Sequence, residues 1–415
     1  MSNLGETVSN MLDQAARHSE PGAGVTRLFL TEQHRQTIST VQRWMQEAGM
    51  ETRLDDAGTL VGSLRGTSGN PPVLILGSHV DSVRHGGKFD GMLGVLLPIA
   101  CVNELRSRGE RLPYTVEIVA FGDEEGVRFP TTLLGSRALA GIVVDQDLEV
   151  LDESGVSLRD ALLRFGCDPS AIQLIARDPS KILGFVEVHI EQGPVLEAAR
   201  TPVGSVVAIA GVERHGLTLR GKAGHAGTTP MAARQDALIG AAEFILELDR
   251  LCRSTNDLVG TVGTIVAEPN AINVIPETVR LGFELRSARS ATRLAARFQL
   301  RAAAERIARI RGLLLELVLN YERDGVECAP CLVDALSSAI ERCGYKPLRL
   351  NSGAGHDGLA MGSLCDVGML FVRCRNGLSH HPDESAAPDD IDAAGAVLIE
   401  FLTNFGPRAE PTSES

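Results

Sequence analysis

The sequence predicts an α/β domain interrupted by an inserted, ferredoxin-like α+β domain. Three observations carry that expectation. The chain has 415 residues, and at about 150 residues per domain this asks for two or three domains. The first part alternates short apolar runs with helical periodicity, as α/β sheets with some parallel pairs do. From residue 212 the rhythm becomes strand, helix, strand, strand, helix, strand, which is the ferredoxin-like order. The outer domain is therefore expected to comprise 1–211 and 329–415, and the insert 212–328.

Taken in order, Thr31 can cap a helix in which Ile38, Val41 and Met45 recur at three- and four-residue spacing, with Gly49 near its end. Pro71 and Pro72 introduce the apolar run 73–76, expected as a buried strand. A helix over 94–108 closes at Gly109, and 114–121 reads as a second buried strand. In the insert, 216–220 alternates as a strand and 231–252 as a long amphipathic helix. Strands follow at 258–267 and 278–285, then a helix at 291–310 and a strand at 313–322. Helix, strand and helix resume at 331–342, 367–373 and 387–404. The tail from Pro407, rich in Pro, Glu and Ser, is expected to fray. No internal repeat is present.

Composition narrows the function. With 44% apolar and 22% charged residues, the chain is ordinary globular protein, not collagen, coiled coil or disordered segment. Its length permits a core that needs no staple. Aromatics are too few for a base-stacking platform, and a net charge of −13 has the wrong sign for a phosphate backbone. No nucleic-acid partner is expected. The longest apolar run, 93–102, is too short to span a bilayer. The opening Met1-Ser-Asn-Leu-Gly-Glu lacks a basic region followed by an apolar stretch, so no signal peptide is expected. Eight scattered cysteines then read as reduced thiols in a cytoplasmic protein. Cys328-Ala-Pro-Cys331 is a single CxxC without the second pair of a zinc ribbon, and reads as small residues entering a helix.

Four segments place carboxylates or histidines just after apolar strands, where open α/β sheets bind ligands. They are Gly77-Ser-His79-Val-Asp81 with Gly86-Gly-Lys-Phe-Asp90-Gly91, Phe121-Gly-Asp-Glu124-Glu125-Gly126, Glu187-Val-His189-Ile-Glu191-Gln192-Gly193, and Gly377-Leu-Ser-His380-His381-Pro-Asp-Glu384. Alone, each is weak, because a histidine beside a strand is commonly a hydrogen-bonded core or surface residue. Together they share one chemistry. Imidazole with carboxylate suits zinc, manganese, cobalt or nickel, and the absence of cysteine argues against a structural thiolate site. A bridging aspartate, with a histidine and one further ligand on each of two ions, would use all four segments.

These residues also resemble a known family over nearly the whole chain. The markers GSHVDSVRHGGKFDGMLGV, FGDEEGVRFPTTLLGSRALAG, EVHIEQGPVLE, GKAGHAGTTPM, PNAINVIP, SGAGHDG and GLSHHPDE occur in the family's order. They are similar to the M20-type metallopeptidase superfamily and, through EVHIEQGPVLE and HAGTTPM, to its carbamoylase and allantoate amidohydrolase branch. The resemblance implies a mixed-sheet di-metal hydrolase domain with an inserted ferredoxin-like domain that serves as lid and dimerisation element. It implies two divalent ions per subunit, with Asp90 bridging, His79 and His189 on one ion, and Glu125 and His380 on the other. Glu124 would be the general base, Asp81 would orient His79, and His225 would stabilise the oxyanion, often across a dimer. Gln192, Asn273 and Arg286, with backbone near Gly355, would grip the substrate carboxylate. The motif PNAINVIP and the later Phe-Glu-Leu-Arg286 suggest that Asn273 and Arg286 lie on neighbouring strands across a turn containing Pro276.

The chain departs from the pattern at four places. Val212-Glu213-Arg214 stands where many relatives have Gln-Arg-Arg, and Glu277 replaces a glycine after Asn-Val-Ile-Pro. Glu284 stands where aspartate is usual, and Gly358 where alanine is commoner. None removes a ligand or the base; all bear on pocket shape. The expected activity is hydrolysis of a ureido C–N bond in an N-carbamoyl-L-amino acid, allantoate or N-carbamoyl-β-alanine, by a homodimer acting on a small molecule. An aminoacylase or dipeptidase is the alternative from the same chemistry. A non-catalytic binding protein is the alternative from another class, opposed by the retained ligands and Glu124.

Overall fold

The computed structural model describes residues 3–406, so the tail from Pro407 lies outside the described residues. Those residues divide into two compact units: 208–326, and the chain on either side of it.

The larger unit is built on a mixed sheet. Its strands are β1 (Glu51–Leu54), β2 (Leu60–Leu64), β3 (Val73–His79), β4 (Thr115–Phe121), β5 (Ile182–Ile190) and β6 (Val203–Ile209). After the chain returns through β13 (Val326–Glu327), β14 (Arg349–Ser352) and β15 (Val367–Val372) complete it. The order runs β1-β2-β4-β3-β5-β15-β6-β13, with β14 also beside β6. β3 is parallel to β4 and β5, and β5 is parallel to β15, while β1–β2, β2–β4 and β15–β6 are antiparallel. Leu74, Ile75 and Leu76 of β3 and the stretch 118–121 of β4 are buried, which explains why they read as apolar runs without alternation.

Helices α1 (Leu4–Ala15), α2 (Glu32–Glu47), α3 (Met92–Ser107), α9 (Pro330–Arg342) and α11 (Pro388–Asn404) share one apolar core with the sheet. Short helices α4 (Leu134–Leu139), α5 (Leu158–Phe165), α6 (Val195–Ala199) and α10 (Gly358–Met361) fill the connections. Thr31 caps α2, its hydroxyl accepting the His34 N–H at 3.3 Å. The apolar run noted in the sequence lies inside α3, buried on every side from Met92 to Val102. Among the described residues no helix is long and apolar enough to cross a membrane. Cys331 is exposed in the first turn of α9 and Cys328 is buried just before it; both thiols are free.

The smaller unit comprises β7 (Gly211–Arg220), α7 (Ala237–Ser254), β9 (Val259–Glu268), β11 (Thr278–Ser287), α8 (Ser290–Arg311) and β12 (Leu314–Arg323). Its sheet is antiparallel in the order β12-β7-β11-β9, with both helices in one core with it. A separate two-strand pair joins β8 (Gly224–His225) to β10 (Val274–Ile275). The expected start of the first helix at 231 is corrected here, because α7 begins at Ala237. Asp236 caps it by accepting the N–H groups of Leu238 and Ile239, and the Gln235 carbonyl is already engaged by the Lys222 N–H. Met231–Ala233 makes only a single tight turn.

Candidate active site

Three adjacent parallel strands deliver the site from their C-terminal ends. His79 is the last residue of β3, Glu124 and Glu125 follow β4, and His189 is the penultimate residue of β5. Asp90 lies just before Gly91, the N-cap of α3. Gly91 has φ +65°, and a Cβ there would overlap the His79 ring, so the tight approach requires glycine.

Asp90 sits at the centre. Its Oδ1 is 3.4 Å from His79 Nε2 and 3.1 Å from His189 Nε2. Its Oδ2 is 3.3 Å from His380 Nε2, which is 3.8 Å from Glu125 Oε2. One carboxylate thus joins two donor triads, His79–Asp90–His189 and Asp90–Glu125–His380. Glu125 Oε1 is buried without a hydrogen-bond partner. His381, by contrast, turns to Asp383 at 3.8 Å.

Both inner imidazoles have one nitrogen committed. His79 Nδ1 lies 3.0 Å from the Asp81 carbonyl and His189 Nδ1 lies 2.9 Å from the Ile190 carbonyl. Each therefore presents Nε2 to Asp90. The Asp81 carboxylate was expected to orient His79, but it stands 3.7 Å from that ring. Its two oxygens instead accept the N–H groups of Glu124 and Glu125, both at 3.2 Å, and so hold the turn after β4. His79 is oriented by the main chain of Asp81.

The charges are strongly coupled. Burial alone would lower the pKa of His79 and His189, but the hydrogen bond to Asp90 and the surrounding carboxylates hold both above the usual imidazole value. His380 rises to about 9, chiefly through its bond to Asp90. Burial pushes Glu125 up to about 7 and Glu124 well above the carboxylate range. Such a set retains protons that a bound cation would displace.

The remaining expected residues divide between the units. Glu124 Oε2 is 4.0 Å from His79 Nε2, and a Cβ on Gly355 would fall 4.0 Å from Glu124 Oε1. Gln192 donates to Asp90 Oδ2 at 2.8 Å and to Ser379 Oγ at 3.1 Å, so here its amide supports the Asp90 carboxylate. In the smaller unit, the Asn273 carbonyl accepts the Ala226 N–H at 3.0 Å, next to His225 on β8. Arg286 is near the other end of β11, its Nε 2.6 Å from Glu284 Oε1. Asn273 precedes Thr278, the first residue of β11, and Arg286 comes eight residues after it. At ~3.3 Å per residue that is roughly 26 Å of strand. The expectation that the two flank a single turn is corrected: β11 runs ten residues without a break in its pairing to β7 and carries Arg286 away from Pro276.

Other residues lie in the quoted segments but were given no role by the sequence. Glu187 accepts the Ser78 hydroxyl at 2.7 Å and the Gly358 N–H at 3.3 Å, tying β5 to β3 and to α10. Its signal was available, since positions 187 and 189 share a strand face. His356 stands edge-on to His189, with ring centroids 4.5 Å apart, and its Nε2 is 2.7 Å from Ser352 Oγ. Glu384 and Ser379 surround the Asp90 loop from the fourth segment.

A mixed sheet whose parallel strand ends converge on two histidine–carboxylate triads has the form of a metallohydrolase. The chain belongs to peptidase family M20/M25/M40, whose model matches residues 75–404. Within that family it is 40% identical to the N-carbamoyl-L-amino acid amidohydrolase of Geobacillus stearothermophilus, over 92% of this chain and 94% of that one. It is also 40% identical to the allantoate deiminase of Arabidopsis thaliana, over 94% of this chain and 80% of that one. Among solved structures, a hydantoinase/carbamoylase-family amidase from Burkholderia multivorans superposes with a TM-score of 0.90 at 32% identity, over 96% of this chain and 97% of that one.

Proposed function

We propose that the chain is a metal-dependent amidohydrolase that removes the carbamoyl group from a small carboxylate-bearing substrate. The substrate class would be N-carbamoyl-L-amino acids, allantoate or N-carbamoyl-β-alanine. The observation that carries this reading is the buried Asp90, shared between a buried triad and one that opens to the surface at His380, with Glu124 beside them. The names of the relatives support the ureido bond as the target. The donor set fits divalent ions: it offers imidazole and carboxylate without thiolate, and an unpartnered Glu125 oxygen lies at one triad. His79 and His189 would hold one ion, Glu125 and His380 the other, and Asp90 both. When bound, the ions would polarise the carbonyl and acidify water.

The chain's own groups then divide the work. Glu124, with its pKa raised by burial, takes a proton from the attacking water and passes it to the leaving nitrogen. Asp81 keeps that carboxylate aimed by holding its backbone. His225 donates to the oxygen on which charge develops, and Arg286 and Asn273 bind the substrate carboxylate. One water is consumed, the C–N bond breaks, and the carbamoyl carbon leaves as carbon dioxide with ammonia.

A single carboxylate cannot reach both ends of β11. The separation of Asn273 from Arg286 therefore supports a homodimer in which one copy supplies His225 and Asn273 to the other's site. The test has two parts. Metal-reconstituted protein is screened for ammonia release across the three carbamoyl classes, with N-acetyl amino acids as the control. Turnover of N-acetyl substrates alone would replace this reading with an aminoacylase. Then Asn273→Ala and Arg286→Ala, each nearly inactive, are mixed after dissociation. Random pairing should restore about a quarter of wild-type activity, because half the dimers carry one intact site. No recovery would place both residues in one copy's site or remove their role.

A further inference from the structure

We propose that Glu384 is a positioning residue that clamps the loop bearing Asp90 to the segment bearing His380, and so sets the spacing of the two donor triads. The proposal rests on the two-ion reading above. Glu384 is 4% exposed, yet it is no ligand in either triad. Its Oε1 accepts two successive backbone N–H groups, from Phe89 at 2.9 Å and Asp90 at 3.0 Å. Its Oε2 accepts the Ser379 hydroxyl at 2.9 Å, one residue before His380. Charge-assisted bonds of this kind are short and directional, which suits a group that fixes main chain.

The clamp has a second component. Ser379 Oγ also lies 2.8 Å from Asp90 Oδ2, the oxygen that faces His380. A hydroxyl carries one proton and can donate to one carboxylate at a time. Gln192 donates to the same Asp90 oxygen. An ion held by Asp90 and His380 would take over that oxygen and leave the hydroxyl for Glu384, tightening the clamp as the triad fills. The loop is cut to receive it: a Cβ on Gly87 would overlap the Glu384 carboxylate. The Gly86-Gly87 pair before Asp90 thus has a stated purpose at its second position.

Because the bonds reach the backbone of Asp90 and the neighbour of His380, the spacing most exposed to their loss is that of the Asp90–Glu125–His380 triad. The first triad shares Asp90 but takes His79 and His189 from β3 and β5, which the clamp does not touch. The experiment measures zinc or manganese binding to the full chain by calorimetry and metal analysis, for wild type, Glu384→Ala, Glu384→Gln and Gly87→Ala. Wild type should bind two ions. Glu384→Ala and Gly87→Ala should each weaken one ion by about 10- to 100-fold, the range for loss of a group supporting a ligand, and weaken the other, which shares only Asp90 with the clamped segments, distinctly less. Glu384→Gln keeps an oxygen for the two N–H groups and should keep both ions. Two ions at wild-type affinity in Glu384→Ala would overturn the proposal. So would equal loss of both ions in step with falling thermal stability, or a Gln variant as weak as Ala. Gly87→Ala leaves every ionisable group in place, so it keeps the test decisive if Glu384→Ala does not fold. A wild-type protein that binds fewer than two ions would instead remove the reading beneath it.

Discussion

Glu124 and Glu125 are chemically identical neighbours whose N–H groups are held by the same Asp81 carboxylate. Only direction separates them. Glu125 meets His380 and the Asp90 side of the site, while Glu124 points between His79 and Gly355. Glu124→Gln should therefore lower turnover by the ~10²–10⁴-fold typical of a lost general base while both ions remain. Glu125→Gln should release an ion as well, and metal analysis of the purified variants distinguishes them. Equal metal loss in both would mean the two roles are reversed. Arg286→Ala should lower kcat/KM about 30- to 5,000-fold with metal content unchanged, if a buried carboxylate loses its partner. A substrate with an amidated carboxylate gives the control: wild type should reject it and the variant should hardly discriminate. At this scale the ligand types were legible in the sequence, because metals demand particular side chains. The tasks of Asp81, Gln192 and Glu384 were not, because bonds to main chain or to a neighbouring carboxylate leave no residue-type pattern.

The start of helix α2 carries a pH dependence that is independent of the site. The Leu30 N–H donates to His34 Nδ1 at 3.1 Å, so the ring is neutral with its proton on Nε2, which is buried without a partner. The ring stacks on Phe165 at 5.2 Å. Burial, with Arg27, Arg35 and Arg128 adding repulsion, drives its pKa from 6.5 to about 3. Below pH 6.5 the unfolded chain gains a proton that the folded chain refuses, so stability falls as pH falls. Asp55 acts in the opposite sense: burial raises it from 3.8 to about 6, and stability falls as pH rises between those values. The His34 contribution is therefore read by difference. His34→Asn keeps an acceptor for Leu30 and loses the titration. Denaturation curves from pH 4 to 7 should show a shallower acid decline than wild type, by at most about 1.4 kcal/mol per pH unit. Parallel curves would mean the ring is protonated in place. Elements were legible where one signal dominated, as the unbroken apolar stretches of β3 and β4 and the helical period of α2. The start of α7 was misplaced because an apolar Met231 continued the helical pattern past the true cap at Asp236.

Across the molecule, the core is far larger than the site. Chelation should abolish hydrolysis while leaving near-UV circular dichroism and cooperative unfolding in place, since a core of this size does not depend on a metal for folding. Full ammonia release after exhaustive dialysis against chelator would defeat the metal reading. The order of elements in both units could be read from the chain, since strand and helix periods differ. The distance between Asn273 and Arg286 could not. Thirteen positions apart, they are compatible with either a tight hairpin or a long strand, and only the ten-residue pairing of β11 decides between them.

The length of β11 also bears on kinetics. If a working site needs groups from two copies, catalytic capacity is a property of the encounter between them, and specific activity becomes a function of dilution. Above the dissociation constant, rate should rise in proportion to enzyme; below it, rate should approach the square of enzyme concentration. Assays at very low enzyme would then understate the activity, and substrate, by bridging two copies, would restore part of it. A rate strictly linear in enzyme down to concentrations where light scattering finds single chains would show that one chain suffices.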